Sequence, residues 1–341
     1  MSTSAPIATV DLPCTACGHH EDEPMWTGIE HEYRGETTDA PFTVVKCTSC
    51  GLARLNPRPD VSELGRIYPP TYYAYGLTDS VDAAVKGGPI LRFTEKAKIT
   101  RYQKRLLRIV KQLGDTEGPI RLLDIGCGDG RLLDWYKESS IGDRIEAYGI
   151  DISEEAVATA KARGHEAVAG RFETDTKLPN NSFDIILAFH VIEHVDDPTA
   201  FMKRGAELLR PGGIFVVATP NIDSIDAKLF KKYWGGNHFP RHWTFYSKKT
   251  LAALAQSQGL EQAEIEWEVN PVFWNWTFHS WLAGKFPKSK WPDRLFPPVQ
   301  IFHASIQSFV LLSFFTVVDT LQRILTRRTA SMAMSLRKPS A

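Results

Sequence analysis

Three sets of side chains in this chain have types and spacings suited to chemistry. The first is Cys14-Thr-Ala-Cys17-Gly and Cys47-Thr-Ser-Cys50-Gly, two near-copies of one knuckle with a 29-residue spacer. Two thiolates three residues apart grip one Zn2+ from a tight turn, and a second such turn completes a tetrahedral site. Four thiolates leave no coordination position for a water, which predicts a structural role, whereas a redox motif would need only one pair. The second set is Leu122-Leu-Asp124-Ile-Gly126-Cys-Gly128-Asp-Gly130, followed further on by Gly149-Ile-Asp151-Ile-Ser. Glycine at every second position lets a ligand approach bare backbone, and a carboxylate at the next strand end can accept both hydroxyls of a ribose. A dinucleotide fingerprint would need glycine at position 131, which is Arg. The third set is titratable: His190, Glu193 and His194, and then His238-Phe-Pro-Arg-His242-Trp-Thr-Phe-Tyr246, with four rings beside two imidazoles.

These residues must be held by elements that the hydrophobic pattern predicts. Thr43 to Lys46 reads as a strand between the two cysteine knuckles, as in a zinc ribbon. Phe93 to Leu113 has helical spacing in Ile99, Tyr102, Leu106, Ile109, Val110 and Leu113, and follows an aromatic stretch from Tyr68 to Tyr75. From Ile120 onward, strand and helix alternate. Strands are expected at Arg121–Ile125, Glu146–Ile150, Glu166–Val168, Phe183–Phe189 and Gly213–Ala218, with helices starting at Arg131, Ser153 and Pro198. Such alternation predicts an α/β fold with a doubly wound parallel sheet and a ligand at the carboxyl ends of the strands. The expected organisation is a zinc-ribbon domain over 1–59, a helical connector over 60–118, a catalytic domain over 119–270 and a hydrophobic, basic tail over 271–341.

On the glycine turn, Asp151, Phe183-Asp-Ile-Ile-Leu-Ala-Phe-His190 and Leu208-Leu-Arg-Pro-Gly-Gly-Ile-Phe, the stretch Ile120 to Gly259 resembles the class I S-adenosylmethionine-dependent methyltransferases. Within them, Val191-Ile-Glu193-His194-Val resembles ubiquinone-type O-methyltransferases, and Cys50-Gly-Leu-Ala-Arg-Leu-Asn-Pro-Arg resembles glycan-cluster methyltransferases with an N-terminal zinc ribbon. The resemblance implies a Rossmann-like, seven-stranded, mostly parallel sheet. It also implies that S-adenosyl-L-methionine is held by Asp124, Gly126, Gly128, Gly130, Asp151, Ile152, Arg171, Phe172 and His190, with Gly170, Arg171 and Phe172 where the adenine lies. A sulfonium methyl is already activated, so the protein must align the acceptor and exclude water. For a hydroxyl acceptor, His194 and Glu193 are the first candidates for general base because they follow the fourth strand, and His242 lies where the family builds its acceptor pocket. Some members hold a divalent metal with Glu-x-x-Glu-His and a further His; here the first of those positions is His190.

Composition narrows the partners. Forty basic and forty acidic side chains cancel, which argues against a general nucleic-acid binder. The first twelve residues have neither a basic cluster nor an apolar core, which predicts a cytoplasmic chain without a secretory signal. In the last segment, Trp274, Trp276, Trp281 and Trp291 crowd together, the run Val299 to Val318 is apolar, and bases outnumber acids. Interfacial tryptophans beside a basic, apolar helix predict a peripheral or monotopic attachment to an anionic membrane surface on the cytoplasmic side, and hence a small-molecule or lipid-linked acceptor. A sugar or glycan intermediate is the alternative acceptor, ahead of RNA, protein or a binding role without turnover.

Overall fold

Strands whose two faces are both covered read as unbroken apolar runs, and this chain has several. The computed structural model describes residues 7–31, 37–68, 89–114, 118–174, 177–297 and 306–340. The aromatic stretch beyond Tyr68 and the start of the apolar run at Val299 lie outside the described residues. The N-terminal part contains β1 (Thr9–Val10), β2 (Asp22–Gly28), β3 (Phe42–Cys47), β4 (Ala53–Leu55), β5 (Arg58–Pro59), α1 (Leu64–Ile67) and α2 (Pro89–Leu113). Next come β6 (Ile120–Ile125), α3 (Arg131–Lys137), β7 (Ile145–Asp151), α4 (Glu154–Ala162), β8 (Glu166–Ala169), β9 (Phe183–Phe189), α5 (Pro198–Leu208) and β10 (Leu209–Pro220). The rest is α6 (Ile225–Phe230), β11 (Thr244–Phe245), α7 (Lys248–Ser257), β12 (Glu261–Glu268), α8 (Val272–Lys285), α9 (Trp291–Leu295), α10 (Ile306–Thr326) and β13 (Ser331–Arg337).

Seven strands form one sheet in the order β12-β13-β10-β9-β6-β7-β8. Strands β10, β9, β6, β7 and β8 are mutually parallel, and β13 runs antiparallel to both of its neighbours. The expected sheet is therefore present. Three of its helices start where side chains cap them: Ser153 accepts from the Ala156 amide, Asp197 from the Ala200 amide with Pro198 at the first turn, and Ser247 forms a capping box with Thr250. One face of the sheet packs on Phe201, Leu208, Leu251 and Leu254, and the other on Leu106, Ile109 and Tyr136. The expected fifth strand begins earlier than Gly213, at Leu209. A register shift between Leu209 and Ile214 absorbs the Pro211-Gly-Gly turn as an irregularity inside the strand.

Two expected boundaries do not divide the fold. Strand β13, from the segment read as a tail beyond 270, sits inside the main sheet with Val217 opposite Met334 and Ile265 opposite Met334 on the other side. The segment between β12 and β13 is thus an insertion, not an appendage. Strand β11, from the segment read as catalytic, closes the ribbon's four-stranded sheet β11-β4-β3-β2. Trp234, Phe239, Trp243 and Phe245 share one core with Phe42, Val44 and Leu55 of the ribbon, so desolvation of a common apolar cluster fuses the two parts. The tryptophans also divide differently from the expectation. Trp274 and Trp276 are buried because both sides of α8 are covered, whereas Trp281 and Trp291 are exposed.

Candidate active site

The N-terminal knuckles bring Cys14, Cys17, Cys47 and Cys50 together with their sulfurs within 4.8 Å of one another. Cys14 Sγ lies 3.5 Å from Cys50 Sγ, and Cys17 Sγ 3.6 Å from Cys47 Sγ. Zinc–sulfur bonds in a tetrahedron require sulfurs about 3.8 Å apart, so the donor set fits one Zn2+ with little adjustment. The amides of Gly18 and Gly51 donate to the carbonyls of Cys14 and Cys47, and both glycines adopt positive φ, closing the two turns.

At the carboxyl end of β6, Gly126, Gly128 and Gly130 all have positive φ, which a side chain would strain. They serve different ends. A Cβ on Gly130 would meet His165 at 2.7 Å and Ala160 at 3.1 Å, so that glycine lets α3 approach α4. A Cβ on Gly128 would meet nothing within 4 Å, which leaves bare backbone facing open space. A Cβ on Gly126 would meet Val191 Cγ2 at 2.9 Å, which sets the glycine turn against the turn after β9. Asp151 at the end of β7 accepts from the Gly128 amide and from the Ser153 amide, each at 2.9 Å. Beside it Ile152 is 60% exposed, an apolar surface suited to a flat base. Asp124 is buried beneath the turn, and burial together with the charge of Asp151 pushes its carboxyl up to about 8. The cradle fits an adenosyl ligand at Gly128, Asp151 and Ile152. Arg171 pairs with Glu173 and Asp196, and the Phe172 ring is buried 5.1 Å from Phe201.

The turn after β9 carries the titratable groups. His190 has φ 57 and its amide donates to the Ala218 carbonyl; its Nδ1 lies 3.1 Å from Glu193 Oε1. Glu193 is buried, and although burial opposes ionisation, the hydrogen bond and charge of His190 hold its carboxyl down at about 2. Burial likewise works against protonation of His190, but Glu193 and Glu268 raise it above the usual imidazole value. His194 Nδ1 lies 2.8 Å from the Tyr68 hydroxyl and 3.2 Å from the Arg241 carbonyl. With Nδ1 donating to that carbonyl, Nε2 keeps its lone pair, whereas a Tyr68 hydroxyl donating to Nδ1 places the hydrogen on Nε2. Burial lowers His194 below the usual value and takes His242 to about 3, in the latter case with the charge of His194 adding to it. His242 also has its Nδ1 bound, 2.8 Å from the Gly236 carbonyl.

The histidine rings form a row: His194 to His242 is 4.6 Å, His242 to His238 is 5.1 Å, and His238 stacks on Trp276 at 5.6 Å. Glu193, His194 and His242 bring ligand-type atoms within 4.8 Å of one another, and His190 is not in that group. The sequence motifs bring these groups together, but several neighbours carried no signal in the sequence. Tyr68 and Arg241 hold His194. Glu268, which bonds Arg105 and Ser331, helps to hold His190, and Phe273 of α8 lies 6.2 Å from the His190 ring. Glu30 pairs with Arg241 from across the ribbon. Each partner is distant in sequence, so no local spacing marks it.

Comparison with known proteins supports the likeness of the central region. A family model described as a methyltransferase domain matches residues 97–265. The ubiquinone biosynthesis O-methyltransferase of Bradyrhizobium sp. (strain ORS 278) is 38% identical over 122 residues, covering 35% of this chain and 46% of the relative. The enzyme of the same description from Cereibacter sphaeroides (strain KD131 / KCTC 12085) is 31% identical over 170 residues, covering 46% of this chain and 67% of the relative. The chain thus spans less than half the length of the first relative. Among solved structures, phosphoethanolamine N-methyltransferase 2 of Haemonchus contortus with S-adenosyl-L-methionine is 20% identical, with a TM-score of 0.43 over 70% of this chain and 53% of that one.

Proposed function

Because the chain belongs to the S-adenosylmethionine-dependent methyltransferases, we propose that it transfers a methyl group to a hydroxyl of a small-molecule, lipid-linked acceptor. The observation that carries this reading is the close approach of the Gly126 turn to Val191, where a Cβ on Gly126 would meet Val191 Cγ2 at 2.9 Å, which supports a shared site for the adenosyl cradle and the turn that carries His194. S-adenosyl-L-methionine, held at Gly126, Gly128, Asp151 and Ile152, supplies an electrophilic methyl. The protein's part is to orient the acceptor oxygen and take its proton. His194 Nε2 is the base: its lone pair is free of the Nδ1 bonds, and burial keeps the ring neutral. As the ring becomes an imidazolium, the charge of the neighbouring Glu193 carboxylate stabilises it, while the Nδ1 contacts with Tyr68 and the Arg241 carbonyl hold the ring. His238 and His242, with Trp276, form the acceptor side of the cleft.

A second reading is favoured by the donor cluster of Glu193, His194 and His242, which can accept a divalent cation that would bind and acidify a hydroxyl. Incubation with labelled methyl donor and separated lipid, sugar and RNA extracts tests the proposal. Label in a lipid-extractable product, insensitive to chelator, is the expected result. Label only in sugar or RNA, or loss of label on chelation at unchanged donor affinity, would replace the acceptor or the base.

A further inference from the structure

The insertion between β12 and β13 contains a helix whose polarity is inverted. Helix α10 buries Ser308, Phe315, Asp319 and Gln322, a stripe that is mostly polar. At 100° per residue, the opposite side carries Ile306, Val310, Phe314, Val317, Leu321, Ile324 and Leu325, and all seven are exposed, Phe314 at 61% and Leu325 at 78%. The buried polar groups are anchored. Asp319 accepts from the Asn270 amide at 2.7 Å and from Trp274 Nε1 at 3.4 Å, while Gln322 donates to the Arg328 carbonyl at 2.6 Å. Phe315 packs on Trp274 and Phe278 of α8. The outward direction of the apolar face is therefore specified by hydrogen bonds and ring contacts on its back.

Charge identifies what covers this face. Gln307 at its start donates to the Leu295 carbonyl at 3.3 Å, which sets the exposed Lys288, Lys290 and Arg294, with Trp291 and Leu295, beside one end. Arg323, Arg327 and Arg328 are exposed at the other end. An apolar face bounded by bases at both ends suits an anionic bilayer and would repel a second copy of itself at its rims. A full span is excluded by the covalent frame, because α10 is tied along its back to α8 and leads directly into β13 within the main sheet.

We infer that the outer face of α10 seats the protein on an anionic lipid surface as a monotopic contact, and that the acceptor enters the cleft from that surface past α8. This rests on the methyltransferase reading for the acceptor, but the seating does not. Helix α8 is the link: Trp274 and Phe278 face α10, while Phe273 and Trp276 face His190 and His238. One helix thickness, about 10 Å, then separates the lipid contact from the histidine row.

The test uses the full chain with vesicles of phosphatidylcholine alone and of equal parts phosphatidylcholine and phosphatidylglycerol, in a flotation assay with gel filtration and donor calorimetry in parallel. Wild type should float with the mixed vesicles and at least tenfold less with phosphatidylcholine alone. The double variant Phe314→Asp, Leu321→Asp should lose flotation by more than tenfold while binding S-adenosyl-L-methionine as wild type does. Arg327→Glu with Arg328→Glu should weaken flotation and leave donor binding intact. Equal flotation of wild type and the aspartate variant would overturn the proposal, as would a soluble wild-type dimer that the aspartate variant splits, since a second copy would then be the cover. Flotation without donor binding would keep the seating and remove the methyltransferase reading.

Discussion

Replacing Glu30 by Gln should separate the two halves of the active site. Arg241 and Glu30 are both fully buried, with Nη1 2.6 Å from Oε1. The guanidinium also donates to Thr37 Oγ1 at 2.7 Å, and Glu30 accepts from the Thr37 amide at 3.1 Å and from its hydroxyl at 2.9 Å. Glu30→Gln keeps the shape but removes the carboxylate charge that faces Arg241 at 2.6 Å, and breaking a buried pair in this way costs about 3–5 kcal/mol. A folded domain has about 5–15 kcal/mol in hand, so the variant should remain folded at 25 °C with a lower urea midpoint. The damage should be local to the acceptor side, because the Arg241 carbonyl orients His194 and residue 242 follows directly. Turnover should fall at least tenfold, while calorimetry gives a donor Kd within about twofold of wild type, since the hydrogen bonds of this pair among the described residues run to Thr37 and Phe239 rather than to the adenosyl cradle. Pairing Glu30→Met with Arg241→Met should recover much of the stability, because removing both charges costs less than removing one. A loss below about 1 kcal/mol in Glu30→Gln, or donor affinity falling in step with turnover, would refute the reasoning.

Three further outcomes are expected. Gently purified protein should contain zinc stoichiometrically by elemental analysis, and Cys47→Ser should lose both metal and folding cooperativity; retention of either would count against a structural site. Asp151→Ala should weaken donor binding at least tenfold by calorimetry, because it removes an acceptor of charge-assisted hydrogen bonds worth about 1.5–3 kcal/mol each and frees the Gly128 amide that Asp151 now holds. The acid limb of the kcat profile should lie below the range of an ordinary imidazole, since burial lowers His194 and protonation disables the base; His194→Ala should abolish that limb without changing donor affinity. Stability should fall over the same acid range. The unfolded chain takes up protons at His194, His238 and His242 that the folded chain, with all three lowered, does not bind.

What the sequence by itself determined is what short-range spacing encodes. Two knuckles of the same composition specify a tetrahedral thiolate cluster, because both halves of the site are local turns. The glycine turn, Asp151 and the His190–His194 turn are likewise each within a few residues of a strand end, so the pattern of strands places them on one edge of a sheet. Tertiary structure decided what meets across that edge. Tyr68 reaches His194 over a separation of 126 residues, and Glu30 reaches Arg241 over 211, contacts that no periodicity announces. It also decided that β13 enters the sheet between β12 and β10 and that β11 joins the ribbon, since strand order is set by pairing at long range. Trp274 and Trp276 read as interfacial until α8 is covered on both sides. Helix α10 shows the limit most clearly. Its composition predicts an apolar helix but not which side is covered, because polar and apolar residues carry their usual meaning only once the neighbours are known; here Asp319 and Gln322 turn inward to bonded partners and leave Phe314 and Leu321 outside.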